Sequence, residues 1–99
     1  MAYTIEFAES VKAHLQALTA AQRATVLATI ESQLTNQPLV EARNRKPLRP
    51  NPVAPWELRV GQLRVFYDVS DGPPATVRIL AVGVKDRNVV RIGGEEIQL

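Results

Sequence analysis

Two short stretches of alternating apolar and polar residues flank the dipeptide Gly61-Gln62, at about residues 56–60 and 63–69. Alternation with a period of two is typical of a half-buried β-strand. A two-residue connection with glycine at its first position suits a type II′ turn. The pattern therefore predicts an antiparallel β-hairpin.

The register of this hairpin follows from its two-residue turn. The predicted facing pairs are Val60 with Leu63, Leu58 with Val65, and Arg59 with Arg64. Two guanidinium groups directly opposite each other on neighbouring strands repel, so such a pair is unfavourable on its own. We interpret the pair as a sign that something anionic lies between the two side chains.

The N-terminal part of the chain predicts a strand followed by two helices. Residues 3–7 alternate as a strand does, and apolar residues then recur at helical spacing from Val11 to Leu18. Thr19 and Gln22 fit a capping box, so a second helix should begin there. It should end near Asn36, before Pro38. The two helices form a hairpin with one face free to cover a sheet.

Residues 38–55 contain five of the seven prolines and are predicted to be a connector. Residues 76–85 are nearly continuous in apolar side chains, which predicts a central strand covered on both faces. Within it, Gly83 marks either a bulge or a close backbone approach. A short extended piece is expected around residues 89–92, and Gly93-Gly94 should end it.

The predicted order is β-α-α-β-β-β. This order favours an α+β fold in which the N-terminal strand is followed by the helical hairpin, which packs on one face of a mostly antiparallel sheet. A length of 99 residues predicts a single domain over residues 1–99. The sequence leaves open whether the first strand runs parallel or antiparallel to its neighbour.

Composition removes several kinds of site from consideration. The chain has no cysteine and one histidine, which excludes a disulfide framework, a thiolate zinc site and a histidine-based metal site. We therefore expect no metal and no cofactor. The sequence shows neither a signal-peptide pattern nor an apolar run long enough for a membrane span, so the expected location is cytoplasmic.

The charge is small overall but unevenly placed. The chain carries a net charge of +2, whereas residues 43–64 hold six basic groups and one acidic group, which is +5 and leaves −3 for the remainder. A local excess of this kind indicates an anionic partner.

Candidate chemistry narrows to a set of basic residues, which are Lys46, Arg59, Arg64, Lys85, Arg87 and Arg91. His14 lies on the apolar side of the first helix, where packing of its ring is favoured over catalysis. Trp56 should pack in the core, and a base-stacking role for Phe66 is not favoured. The remaining cations can bind a nucleic-acid backbone. They can also cleave RNA, with a crowded base taking the 2′-hydroxyl proton, arginines stabilising the phosphorane and another cation protonating the leaving 5′-oxygen.

The segments 46–48, 56–61, 63–67 and 79–85 resemble the RelE/ParE superfamily of toxins of bacterial type II toxin–antitoxin systems, in the order of their elements across nearly the whole chain. The resemblance implies a small RelE-like α+β toxin that is neutralised by a partner antitoxin. RelE-like members cleave mRNA in the ribosomal A site, whereas ParE-like members inhibit DNA gyrase.

The resemblance also implies roles for individual residues. Arg59, Arg64 and Lys85 match basic catalytic positions of RelE-like enzymes, and we expect RNA to be held by Lys46, Arg45, Arg87 and Arg91. Two positions depart from the family. Glu57 stands where some members have a lysine and is a candidate base, as a carboxylate is in some related toxins. Arg91 stands about where many members have a tyrosine.

The leading hypothesis is a ribosome-dependent mRNA endoribonuclease that inhibits translation, with the ribosome, mRNA and an antitoxin as partners and no cofactor or membrane. The alternative is a non-enzymatic ParE-like inhibitor of DNA gyrase, or an inactive homologue that only binds an antitoxin. The missing tyrosine favours the alternative.

Overall fold

The chain begins with a strand and two helices and continues almost entirely as strands. A computed structural model of the protein describes residues 2–97. In that range the elements are β1 (Thr4–Phe7), α1 (Val11–Gln16), α2 (Ala20–Leu34), β2 (Arg45–Pro47), β3 (Trp56–Val60), β4 (Leu63–Ser70), β5 (Thr76–Asp86), β6 (Val89–Ile92) and β7 (Glu95–Ile97).

All the strands of residues 2–97 belong to one sheet. Its order is β2-β3-β4-β5-β6-β7, with each neighbour antiparallel, and β1 lies beside β5. β1 runs parallel to β5, which answers the question that the sequence left open. The predicted α+β fold, with an N-terminal strand, a helical hairpin and a mostly antiparallel sheet, is confirmed.

The hairpin of β3 and β4 has the predicted register. Val60 faces Leu63, and Arg59 faces Arg64. Gly61 has a φ of 60°, as the first central position of a type II′ turn requires. Because side chains alternate along a strand, this register sends the arginines to one face of the sheet and the neighbouring valine and leucine to the other.

The helices cover the second of these faces. Their side chains Val11, Val26, Ile30 and Leu34 pack with a row of fully buried strand residues, which are Leu58, Val65, Tyr67, Val77, Ile79 and Val82. Burial of each such aliphatic side chain stabilises the fold by about 1.5–3 kcal/mol. Trp56 joins this core by stacking on Tyr67, with ring centroids 6.1 Å apart, so the prediction that Trp56 is a core residue is confirmed.

A smaller apolar cluster lies on the opposite face. It is built on Phe66, Ala81, Ala54 and Ile92, and Leu48 packs against it. Phe66 is fully buried there. β5 is therefore covered on both faces in its middle, as its nearly continuous apolar sequence predicts.

The part of the long connector that lies between β2 and β3 contains a turn closed by the side chain of Asn51. Asn51 Oδ1 accepts from the backbone N–H groups of Val53 and Ala54, and Asn51 Nδ2 donates to the carbonyls of Arg49 and Ala54. Asparagine commonly closes such local turns. The connector also contains β2, which the sequence did not predict because three residues ending in proline show no alternation.

The start of α2 is fixed by side chains on both sides of the junction with α1. Thr19 Oγ1 accepts a hydrogen bond from Gln22 N at 3.1 Å, and Thr19 N donates to Gln22 Oε1 at 3.0 Å, which confirms the capping box. Arg23 donates back to the carbonyls of Leu15 and Leu18. Carbonyls at the end of the short α1 are thus satisfied by a residue of α2.

His14 fills a gap along one edge of β5. β1 pairs with β5 up to Ile79, and β6 pairs with it from Gly83 onwards. Between them, Val82 N donates a hydrogen bond to His14 Nδ1 at 3.3 Å. Burial lowers the pKa of His14 below its ordinary value of 6.5. The packed, structural histidine expected from the sequence is what the structure contains.

Neither helix within residues 2–97 is long and apolar enough to cross a lipid bilayer.

We predict that Thr19→Ala lowers the free energy of unfolding by about 1 kcal/mol, because it removes the acceptor that caps α2. Thr29→Ala is the matched control: its hydroxyl bonds only to the Thr25 carbonyl within the helix. Alanine is the better helix former there, so the control should cause no loss of stability. Urea unfolding measures both. Equal losses in the two variants would contradict the capping role.

We also predict that stability declines as the pH falls from neutral through 6.5. The lowered pKa of His14 means that the folded chain binds fewer protons than the unfolded chain in this range. The contribution of the neutral His14 ring to stability is complete above the pKa of this histidine in the unfolded chain. It is lost as the pH falls towards the lower pKa of His14 in the folded chain. Urea unfolding at about pH 7.5 and about pH 5.5 should show the decline. His14→Asn keeps a hydrogen-bond acceptor but does not titrate, so the stability of this variant should decline less than that of the parent chain.

Candidate functional site

The basic side chains of the hairpin face a cleft on the side of the sheet that the helices leave open. The cleft has a volume of about 440 Å³. Four cations line it, namely Lys46, Arg59, Arg64 and Lys85, together with the acidic residues Glu57 and Glu96. Its apolar walls include Leu48, Val90 and Ile97.

Strand register explains why these residues meet. Lys46 pairs with Glu57 across β2 and β3, Arg59 pairs with Arg64 across β3 and β4, and Arg64 pairs with Gly83 on β5. Lys85 lies two residues beyond Gly83 and so projects to the same face. Four neighbouring strands, β2 to β5, therefore each place a basic residue on the same face of the sheet, and these residues line one cleft.

The anion between the two arginines is the chain's own Glu57. Glu57 Oε1 lies 3.2 Å from Arg59 Nε and 3.2 Å from Arg64 Nε. Glu57 and Arg59 are two residues apart on β3 and so share a face. We interpret the facing arginines in the sequence as a sign of an anionic ligand, whereas the anion that the structure places between them is a carboxylate of the chain itself.

Arg64 is held rigidly at the floor of the cleft. It is only 9% exposed, and its Nη1 donates to the carbonyl oxygens of Gly61 at 2.7 Å and Leu63 at 2.8 Å. Its Nε is buried and makes no hydrogen bond, although it lies within ion-pair distance of Glu57. The two facts agree, because the carboxylate is near enough for charge attraction but is not aligned with the N–H bond.

Burial and two neighbouring charges act on the pKa of Arg64, and their net effect lowers it. Burial lowers its pKa, the neighbouring Glu57 carboxylate raises the pKa, and Arg59 lowers it again. The ordinary pKa of an arginine side chain lies far above neutral pH, so the guanidinium keeps its charge at neutral pH. Arg64 is therefore a fixed, partly desolvated positive charge, which attracts an anion more strongly than a solvated arginine does.

Arg59 is the more accessible member of the pair. Its side chain is 39% exposed, and its Nε donates a hydrogen bond to Glu57 Oε1. The strand position is fixed by a bond from Arg59 N to the carbonyl of Asn44 at 2.7 Å. A guanidinium has five N–H donors, so Arg59 can grip a further acceptor while still contacting Glu57.

Two lysines complete the positive lining. The backbone of Lys85 is tied to the hairpin turn, because Lys85 N donates to the Gln62 carbonyl at 2.7 Å. Within residues 2–97, neither Lys46 nor Lys85 forms an ion pair. Their charges are available to an anionic ligand.

Gly83 allows the wall of the cleft to form. A Cβ at this position would collide with the carbonyl oxygen of Arg91 and lie 2.9 Å from Ile92 Cγ1. The close backbone approach that the sequence suggested is therefore present. It lets β6 pair closely with β5, and β6 in turn carries Val90 into the cleft wall.

The structure does not bring Arg45 to the cleft. Arg45 is 6% exposed, and its guanidinium donates to the Val40 carbonyl and to both oxygens of Gln33. It sits one residue from Lys46 on β2 and so projects to the opposite, helix-covered face. Arg45 fastens the end of α2 to the sheet, and we remove it from the expected RNA-binding set.

Arg91 and Arg87 also lie outside the cleft lining. Arg91 pairs with Val84 in register, on the face that carries α1, and its Nη2 lies 3.4 Å from Glu96 Oε1. Arg87 lies in the turn between β5 and β6 with a φ of 59°. Of the expected RNA-binding residues, only Lys46 lines the cleft itself.

Two further observations concern the kinds of side chain that the structure brings together. None of the residues that line the cleft is aromatic. In the part of the chain that the structure describes, no three side chains of histidine, cysteine, aspartate or glutamate come together as a metal site.

The chain is similar to a chain of the RelBE2 toxin–antitoxin complex from Mycobacterium tuberculosis, with a TM-score of 0.73 and 29% sequence identity. The match covers 86% of this chain and 93% of that chain. No protein-family model and no curated protein sequence matches. The fold, the motifs and this similarity support a RelE-like toxin of a toxin–antitoxin system.

We predict that Gly83→Ala lowers the free energy of unfolding by about 1–3 kcal/mol, because the added methyl group forces β5 and β6 apart. Gly94→Ala is the control. A Cβ there meets no atom within 4 Å, and only its φ of 86° is unfavourable. The control should therefore lose only about 1 kcal/mol. Thermal or urea unfolding compares them, and a Gly83→Ala chain as stable as the parent would contradict the close approach.

Proposed function

We propose that this toxin is a ribosome-dependent endoribonuclease that cuts mRNA and thereby inhibits translation. The observation that carries the proposal is the meeting of Arg59, Arg64 and Lys85 in one cleft. The similarity to a chain of the RelBE2 complex supports a second part of the proposal, that a partner antitoxin binds and neutralises this chain.

The arginines would hold the scissile phosphate. A guanidinium presents parallel N–H donors that match phosphate oxygens, and charge-assisted bonds of this kind are the stronger ones. Arg64 is fixed by the carbonyls of the hairpin turn, so its donors need little reorganisation when charge develops on the phosphorane. Prearranged charge of this kind is commonly the largest contribution to rate.

The proton transfers would use the remaining side chains of the cleft. Glu57 accepts the proton of the 2′-hydroxyl, and the 2′-oxygen attacks the adjacent phosphorus. The bond from phosphorus to the 5′-oxygen then breaks, and Lys85 donates a proton to that leaving oxygen. The products are one RNA end with a 2′,3′-cyclic phosphate and one with a 5′-hydroxyl group.

The lining also supports dependence on the ribosome. Stacking on an aromatic side chain is worth about 1–3 kcal/mol per base in proteins that bind single strands. The lining of this cleft provides no such platform, since Trp56 and Phe66 both pack in apolar clusters. The cleft alone would hold RNA mainly by its phosphates, and the ribosome would have to present the base and ribose in position. Lys46 and the nearby turn residue Arg87 would add attraction for the RNA backbone.

We predict that Arg59→Ala reduces mRNA cleavage by at least about 100-fold, because it removes an exposed donor from the developing charge. The parent chain should arrest growth on induction, with cuts within codons seen by primer extension. Arg78→Ala is the matched control, since Arg78 is an exposed arginine of β5 that pairs with Glu6 outside the cleft. The control should cut mRNA as the parent does.

Other outcomes of the same experiment would replace the proposal. A DNA-damage response with intact mRNA would indicate gyrase inhibition. Absence of any growth effect from the parent chain would indicate an inactive homologue that binds an antitoxin. An Arg59→Ala chain that cuts mRNA as fast as the parent would show that the assigned cleft is not the active site.

A further inference from the structure

The carboxylate of Glu57 occupies the position between Arg59 and Arg64 that an RNA phosphate would need. We propose that Glu57 is an intramolecular competitor of the phosphate: it holds the arginine pair in the free protein and must be displaced before RNA can bind. The inference rests on the proposed function in taking RNA as the ligand. It assigns Glu57 an inhibitory role in binding that is separate from its role in proton transfer.

The first support is the shared contact. A single oxygen, Glu57 Oε1, lies 3.2 Å from the Nε atoms of both arginines. The Glu57 side chain is only 9% exposed, so this contact lies within the cleft floor and not at its rim. Carboxylate and phosphate oxygens are recognised by the same guanidinium donors. The two anions therefore compete for one place.

The second support is the poor fit of the internal anion. Arg64 Nε is buried and makes no hydrogen bond, despite its proximity to Glu57. A buried donor without an acceptor costs free energy that a well-placed ligand recovers. A phosphate has more oxygens than the single one that Glu57 offers to both arginines, and it can align one with this N–H. Displacement of Glu57 thus satisfies a donor that the free protein leaves unsatisfied.

The third support is that the surroundings permit the exchange. Arg64 is anchored by two backbone carbonyls, whereas Arg59 is 39% exposed and can move with an incoming phosphate. Lys46 lies directly across from Glu57 on β2, lines the same cleft and forms no ion pair within residues 2–97. Lys46 is the cation to which the displaced carboxylate can turn.

The proposal predicts that removal of the Glu57 charge strengthens RNA binding. The probe is a short fluorescein-labelled single-stranded RNA, and binding is followed by fluorescence anisotropy without ribosomes. We expect Glu57→Gln to bind about tenfold more tightly than the parent chain, because RNA no longer competes with a charged ligand. Tighter binding accompanied by slower cleavage on ribosomes would be the signature of the two roles of Glu57.

Glu6→Gln is the matched control. It makes the same change of net charge in another glutamate–arginine pair, with Arg78 on β5, and it does not line the cleft. We expect its affinity for the RNA to stay within about twofold of that of the parent, since distant surface charges are screened by salt. An equal gain in both variants would mean that overall charge explains the effect, and this would overturn the proposal.

A double variant tests whether the gain comes from the arginine pair. The affinity of the double variant Glu57→Gln with Arg59→Ala is compared with that of Arg59→Ala alone. Most of the gain from Glu57→Gln should be absent in this comparison, because the effects of neighbouring residues that share a ligand are not additive. Glu57→Asp covers the case in which the glutamine variant does not fold. It keeps the charge but withdraws it by one methylene group, and should show a smaller gain. Affinity equal to that of the parent in every folded variant of Glu57 overturns the proposal.

The two proposals can fail separately. If Glu57→Gln binds RNA more tightly but the parent chain cuts no mRNA after induction, the competition is correct and the nuclease assignment is wrong. If the parent chain cuts mRNA and Glu57→Gln binds RNA no more tightly, the nuclease assignment is correct and the competition is wrong.

Discussion

The pairing register of β3 with β4 is the constraint on which the rest of the structure depends. The short turn at Gly61-Gln62 places Val60 opposite Leu63, and everything along the two strands follows. A slip of one residue would move every side chain to the other face of the sheet. Leucine and valine would then face solvent, and the arginines would meet the helices. Core and cleft are therefore specified by a single geometric choice.

Much of the fold could be predicted from sequence because its signals are local. The capping box at Thr19 and Gln22 and the alternation around Gly61-Gln62 each lie within a few residues, and the structure contains both. The shortest strands, β2 and β7, carry no comparable signal. β2 forms because it pairs with β3, which is distant in sequence, and β7 forms because it pairs with β6 across two glycines. A pattern of three residues cannot reveal such pairing.

The site was less predictable, for a physical reason. The pattern brought out Arg59, Arg64 and Lys85, and the structure places all three in one cleft. It could not show that Arg45 is bound to carbonyls at the end of α2, since that contact depends on tertiary packing. The spacing of Glu57 and Arg59 did carry a usable signal, because residues two apart on a strand share a face. Applying that rule to the acid as well as to the arginines would have identified the internal anion.

The contact between His14 and β5 has a consequence for association with other chains. A strand that lacks a neighbour along part of its edge presents a backbone donor to which a foreign strand can add, and proteins commonly block such places. Between β1 and β6, the donor is Val82 N, and the imidazole already occupies it. A side chain from a helix thus takes the place of a missing strand and closes the sheet against aggregation at that point.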